Sequence, residues 1–172
     1  SWARRCVEEA GRKIRRFFRE GSAKEQEEED YIAPVVLACM NMARKKTGAL
    51  IAIQGTSDLT PYQHAGERFL AAVNARLIET IFFKNSPLHD GAMIIAGGKI
   101  CAAGCILPVA SDTDLNKDLG LRHRSALGLS QKTDAKIIII SEERGTISLA
   151  YRSEIIVDIT PDELRALLSS ED

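Results

Sequence analysis

In the first segment, "SWARRCVEEAGRKIRRFF", apolar residues fall at Trp2, Cys6, Ala10, Ile14 and Phe17 with arginines and lysines between them. That spacing predicts a basic amphipathic helix, which either packs on the edge of a core or lies on a membrane surface. The polar stretch "GSAKEQEEED" reads as an acidic linker, so residues 1–30 stand apart from a domain covering 31–172. From Tyr31, "YIAPVVLACMNMARKK" is apolar around most of a helical circumference and predicts a largely buried helix. Lys45 and Lys46 sit where cations favour the helix dipole, and Gly48 is the expected stop. "ALIAIQ" has the length of a buried strand, and "GTSDLTPYQHAG" supplies turn and capping residues, with Tyr62 and His64 at the surface. "ERFLAAVNARLIETIF" carries apolar residues at helical spacing and predicts a helix interrupted near Asn74.

The second half alternates differently. "GAMIIA", Gly97-Gly98 and "KICAAGCILPV" make two apolar runs around a two-glycine turn, a hairpin because glycine accepts the positive φ such turns need. "SDTDLNKDLG" is a polar loop, and "RHRSALGLSQKT" predicts a helix that opens with a basic triplet. "AKIIIISEERGTISLAYR" reads as a second strand pair turning at "EERG". "TPDELRALLSS" is a final helix with Thr160 as N-cap and Pro161 at its first position. Together these elements specify an α/β fold, a central mixed β-sheet flanked by helices.

Composition narrows the classes. At 172 residues and 45% hydrophobic the chain suits one domain with a sizeable core, and a net charge of −1 lacks the basic footprint of a nucleic-acid polymer binder. No apolar run approaches the roughly 20 residues that span a bilayer. Cys6, Cys39, Cys101 and Cys105 form no CxxC pair and read as reduced structural residues, which favours the cytosol.

Three clusters carry candidate chemistry. In "SPLHDGA", Asp90 either serves an Asp-Gly turn or projects from a sheet edge as a divalent-metal ligand or proton acceptor. Gly91 would then admit a ligand close to the backbone, and His89 would assist or face solvent. In "RHRS", Arg122, His123, Arg124 and the Ser125 hydroxyl at a helix start suit a polyphosphate, while a solvated turn paired with the acids of "SDTDLNKD" is the plainer alternative. In "SEERG", Ser141, Glu142 and Glu143 follow a strand, where α/β sheets usually bind ligands at the C-terminal edge, or they form a charged hairpin loop. "ILPV" adds an apolar rim able to hold a planar base. Serine-hydrolase, zinc-protease and P-loop motifs are absent from the sequence. The residues alone thus reach a nucleotide or polyphosphate site with a divalent metal.

The ordered set "PLHDGAMII", "LPV", "GLRHRSALGLS" and "IIIISEERGTIS", spread over Tyr31 to Leu168, resembles the bacterial diadenylate cyclase domain. "RKKTGALIAIQ" and the basic start resemble its membrane-associated class. The resemblance implies condensation of two ATP into cyclic di-AMP with release of two pyrophosphates, using Mg²⁺, Mn²⁺ or Co²⁺, in a face-to-face homodimer or larger assembly. It implies catalytic roles for Asp90, Gly91, Ala92, Arg122, His123 and Arg124. Nucleotide contacts would come from Leu107, Pro108, the basic triplet, Ser125, Ser141 and Glu143, and metal contacts from Asp90, His89 and Glu142. It also implies a place at the cytoplasmic face of the cell membrane behind transmembrane helices, whose removal would leave a start at Ser1. One departure stands out: family members often carry threonine where this chain has Leu121. The alternative is a catalytically silent domain that binds ATP or cyclic di-AMP and regulates a partner.

Overall fold

The computed structural model describes residues 31–111 and 119–171, with Trp2, Arg4, Arg5, Glu8 and Glu9 ahead of them. Those five N-terminal residues are helical, and the Trp2 ring rests 4.2 Å from that of Tyr151, against the core. Cys6, the linker and most of "SDTDLNKD" lie outside the described residues.

Helix α1 (Ile32–Arg44) buries Ile32, Val35, Val36, Ala38, Cys39 and Met42, as its apolar circumference predicts. Its end differs from the expectation. Lys46 takes the left-handed conformation (φ 53°), its N–H bonds Ala43 O at 3.1 Å, and Thr47 N–H bonds Met42 O at 2.8 Å. This is a Schellman closure completed two residues before Gly48, whose own φ is not left-handed. Strand β1 (Ala49–Ile53) follows, buried throughout. A short helix α2 (Thr60–Gln63) leads to β2 (Glu67–Ala72), α3 (Ala75–Ile81), β3 (Ala92–Ala96) and β4 (Lys99–Cys105). Then come α4 (Leu121–Lys132), β5 (Lys136–Ile140), β6 (Ile147–Tyr151), β7 (Glu154–Ile156) and α5 (Pro161–Ser169).

The segment read as one interrupted helix from Glu67 is half strand. "ERFLAA" pairs antiparallel with β4 at the sheet edge, its side chains alternating between more and less exposed, and only the part after Asn74 is helical. Its apolar residues fit a helix by spacing, but the open edge of β4 supplies ladder partners that local periodicity cannot register. Asn74 is the N-cap: its side-chain oxygen accepts from Arg76 N and Leu77 N at 2.9 and 3.2 Å. The Gly97-Gly98 hairpin and the β5–β6 pair form as expected, and Thr160 is the N-cap with Pro161 behind it, completed by Glu163 into a capping box.

Seven strands form one mixed sheet in the order β2-β4-β3-β1-β5-β6-β7, with β1 and β3 parallel and every other pair antiparallel. The two-residue period of β1 divides the core: Ala49, Ile51 and Ile53 face α1, α3 and α5, whereas Leu50 and Ala52 face Leu59, Ala126 and Leu129. Helices therefore cover both faces, and α4 sits alone among the longer described helices on the second. Within this core, burial pushes the Cys39 thiol up to about 12 and the Cys105 thiol up to about 11, so both behave as small apolar residues.

Candidate functional site

A cleft of about 1160 Å³ opens at the sheet edge where β1 and β3 begin and β4 and β5 end. The C-terminal-edge expectation thus fits β4 and β5 but not β1 and β3, because a mixed sheet carries both kinds of strand end on each edge. Its walls are the corner between α1 and β1, the loop before β3, the segment after β4, the start of α4 and the β5–β6 turn.

The loop before β3 carries His89 and Asp90. The His89 Nδ1–H donates to Ser86 O at 2.7 Å, which fixes the ring and leaves Nε2 3.3 Å from Asp90 Oδ1. Asp90 itself is 86% exposed and projects from the rim. Gly91 adopts φ 97°, and a Cβ there would stand 2.7 Å from Gly104 C and 2.8 Å from Cys105 O. The close approach assigned to a ligand is therefore made by the backbone of β4. Ala92 is fully buried opposite Cys105 and lies behind the cleft.

Helix α4 begins at N-cap Gly120 with no capping side chain and no acid in its first turn. Its first N–H groups thus keep their partial positive charge, the condition for anion binding. Arg122 and His123 line the cleft beside them, with Ser125 below; Arg124, about 100° further round, does not. Arg122 pairs with Glu142 at 3.5 Å, and the acids of the polar loop lie outside the described residues. His123 is 6% exposed and its Nε2 has no hydrogen-bond partner among the described residues. Desolvation, and then the charges of Arg144 and Arg122, hold its pKa below the ordinary 6.5, so the ring is neutral at pH 7.

After β4, Ile106, Leu107 and Val109 provide the apolar wall foreseen for "ILPV", whereas Pro108 turns away. Its carbonyl would stand 2.0 Å from a Cβ at Gly128, so Gly128 lets this segment lie directly on α4, where Ala110 N–H bonds Arg124 O at 3.0 Å. Leu121, 62% exposed, extends the apolar rim in place of a hydroxyl. In the β5–β6 turn, Ser141, Glu142 and Glu143 all line the cleft, and the Ser141 Oγ accepts from Arg144 N at 3.2 Å.

Sequence reasoning missed several lining groups. Lys84 had no motif, Arg144 lay within "SEERG" without being singled out, Lys45 and Lys46 read as dipole partners, and Gly48 read as a helix stop. Among the described residues, the cleft is lined by Arg122, Lys45, Lys46, Lys84 and Arg144 against Asp90, Glu142 and Glu143, a local cationic excess inside a nearly neutral chain. Among the described residues no three His, Cys, Asp or Glu side chains converge on one point. His89 and Asp90 do form a two-donor pair with the histidine tautomer set by a backbone carbonyl, which suits a hard divalent cation that takes its other ligands from water and phosphate. No helix among the described residues is long and apolar enough to cross a membrane.

Comparison with known proteins agrees with this geometry. Residues 36–155 match the family described as "DisA bacterial checkpoint controller nucleotide-binding". The cyclic di-AMP synthase CdaA of Bacillus subtilis is 37% identical over 168 residues, and a diadenylate cyclase of Listeria monocytogenes is 39% identical over 168 residues; each alignment covers 98% of this chain and 61% of the relative. The chain thus spans about three-fifths of the length of those relatives. A diadenylate cyclase of Mycoplasma genitalium is 39% identical over 138 residues, 77% of this chain and 68% of that protein. Among solved structures, a cysteine double mutant of DacA from Staphylococcus aureus matches with TM-score 0.81 and 38% identity, over 84% of this chain and 96% of that one. A cleft that joins an exposed aspartate to an uncapped, arginine-bearing helix start, on a fold shared with DacA, places this chain in the diadenylate cyclase family.

Proposed function

We propose that this domain condenses two ATP molecules into cyclic di-AMP, one nucleotide held by each subunit of a symmetric pair. The observation that carries the reading is the single cleft shared by exposed Asp90, the His89 pair and the Arg122–His123 helix start. Leu107 and its apolar neighbours would take the adenine, and the α4 N–H groups, Arg122 and neutral His123 would take the triphosphate. Ser125, Ser141 and Glu143 border the phosphates, Gly91 lines the cleft beside Asp90, and Arg124, Pro108 and Ala92 support the site from behind its wall.

One cleft provides one α-phosphate, yet the product needs two phosphodiester bonds. The second nucleotide must come from a facing copy, and two-fold symmetry supplies both bonds with the same machinery. At each cleft the 3′-oxygen of the facing nucleotide bonds to the α-phosphorus and the α–β bridging P–O bond breaks. Pyrophosphate leaves with that electron pair, and the hydroxyl proton passes to Asp90. Asp90 at the rim is placed for a group arriving from outside its own chain. His89 and Asp90, with Glu142 nearby once released from Arg122, would hold Mg²⁺, Mn²⁺ or Co²⁺; the ion lowers the charge of the phosphates and the pKa of the hydroxyl.

Mass spectrometry of the protein incubated with ATP and each divalent metal tests the reading. Cyclic di-AMP and pyrophosphate are the expected products, with Asp90→Asn lowering the rate by about a hundredfold to ten-thousandfold while unfolding stays cooperative. Nucleotide binding without turnover at any protein concentration would instead identify a regulatory domain.

A further inference from the structure

We infer that Gly48 is a positioning residue for Arg122: the missing side chain at this corner is the seat in which the guanidinium lies. A Cβ at Gly48 would stand 2.5 Å from Arg122 Nη1, 2.6 Å from Cζ and 2.9 Å from Nη2, and these guanidinium atoms are its three nearest neighbours. No backbone reason competes for the glycine. Its φ lies outside the left-handed region, and Lys46 already closes α1. Glu142 also meets Nη1, at 3.5 Å, and the Arg122 side chain is only about a quarter exposed. An arginine side chain left to itself samples many rotamers, so a fork aimed at phosphate must be held from more than one direction. Gly48 supplies the close backbone wall, and Glu142 supplies the charge that holds the fork until an anion displaces it.

The physical signature is specific. The nearest groups to a methyl at position 48 belong to the free end of a flexible side chain, so the fold tolerates it, while the fork is driven out of line. For its ligand, this inference rests on the cyclase reading above.

The experiment compares Gly48→Ala, Arg122→Lys and the double variant. Gly48→Ala is expected to keep or raise the unfolding midpoint, since alanine narrows the unfolded ensemble. Its kcat/KM for ATP is expected to fall about tenfold to a hundredfold, as when a charge-assisted bond is lost. In the Arg122→Lys background, which has no planar fork to displace, the same methyl is expected to change kcat/KM by less than about twofold, the non-additivity of a coupled pair. Wild-type kcat/KM in Gly48→Ala, a loss of the same size in the Arg122→Lys background, or a Gly48→Ala chain that no longer folds would each overturn the proposal. A wild-type protein that yields no product sinks the cyclase reading alone. The seat is then decided by the Arg122 Nε–H resonance in NMR spectra, which shifts in Gly48→Ala if the fork moves and stays in place if it does not.

Discussion

Single residues at the start of α4 set the electrostatics of the cleft. His123 is neutral because it is buried beside Arg144 and Arg122. Since the folded pKa lies below the unfolded one, the unfolded chain takes up this proton first, and His123 detracts from stability as pH falls through 6.5 towards the folded value. A bound triphosphate would set negative charge against the two arginines and weaken the Coulombic part of that shift. The His123 Cε1–H signal in NMR titrations is therefore expected to have its midpoint below 6.5 in the free domain and to move upward when ATP is bound. A midpoint indifferent to ATP would place the phosphates elsewhere.

At the scale of elements, the loop after β1 is tied to the turn between α4 and β5 by one carboxylate. Asp134 accepts from Thr56 N and Ser57 N at 2.8 Å each and from the Thr56 hydroxyl. Partial desolvation pushes its pKa up, but these hydrogen bonds outweigh it and hold the carboxyl well below the usual 3.8. A depressed acid stabilises the fold above its unfolded pKa, and the benefit disappears as pH drops through the folded value. Asp134→Asn is expected to cost about 1 kcal/mol at pH 7 and to flatten the acid limb of a stability–pH curve from chemical denaturation.

The elements also show how far the sequence could be read. The strand pairs around Gly97-Gly98 and "EERG", the N-cap at Thr160 and the helix opening at the basic triplet are local chemistry, and each was legible. β2 was not, because its hydrophobic residues satisfy a helical period while its partner, β4, lies some 30 residues away. Gly48 illustrates the same limit in the site. A glycine after a lysine-rich helix end reads as a stop signal, and only the tertiary approach of Arg122 from 74 positions downstream gives it another purpose. Asp90, Arg122 and His123 could be named from their motifs, but that they share a cleft with Lys84 and Arg144 depends on strand order.

For the whole molecule, the reaction assigned to facing clefts makes a stoichiometric prediction. Asp90 and Arg122 belong to one cleft and, under the proposed reaction, would serve one new bond, so a pair with one intact and one Asp90→Asn subunit is expected to form a single bond. Wild type mixed with excess Asp90→Asn should accumulate the linear dinucleotide at the expense of the cyclic product. Mixing Asp90→Asn with Arg122→Ala should yield neither, because each pair then holds two damaged clefts. Linear product from that second mixture, measured by mass spectrometry, would show instead that the acid and the arginine of one chain act on different bonds.

The position of β1 bears on how the cleft comes into being. β2-β4-β3 on one side and β5-β6-β7 on the other are antiparallel units that meet solely through β1, which pairs with β3 and β5. Asp90 and Leu107 belong to the first unit and Glu142 and Arg144 to the second. A hairpin can form quickly from neighbouring residues, whereas the parallel β1–β3 pairing closes a long loop and is slow. During synthesis or refolding, the two halves of the cleft are thus expected to form separately, and nucleotide binding should emerge in step with protection of the β1 amides from hydrogen exchange.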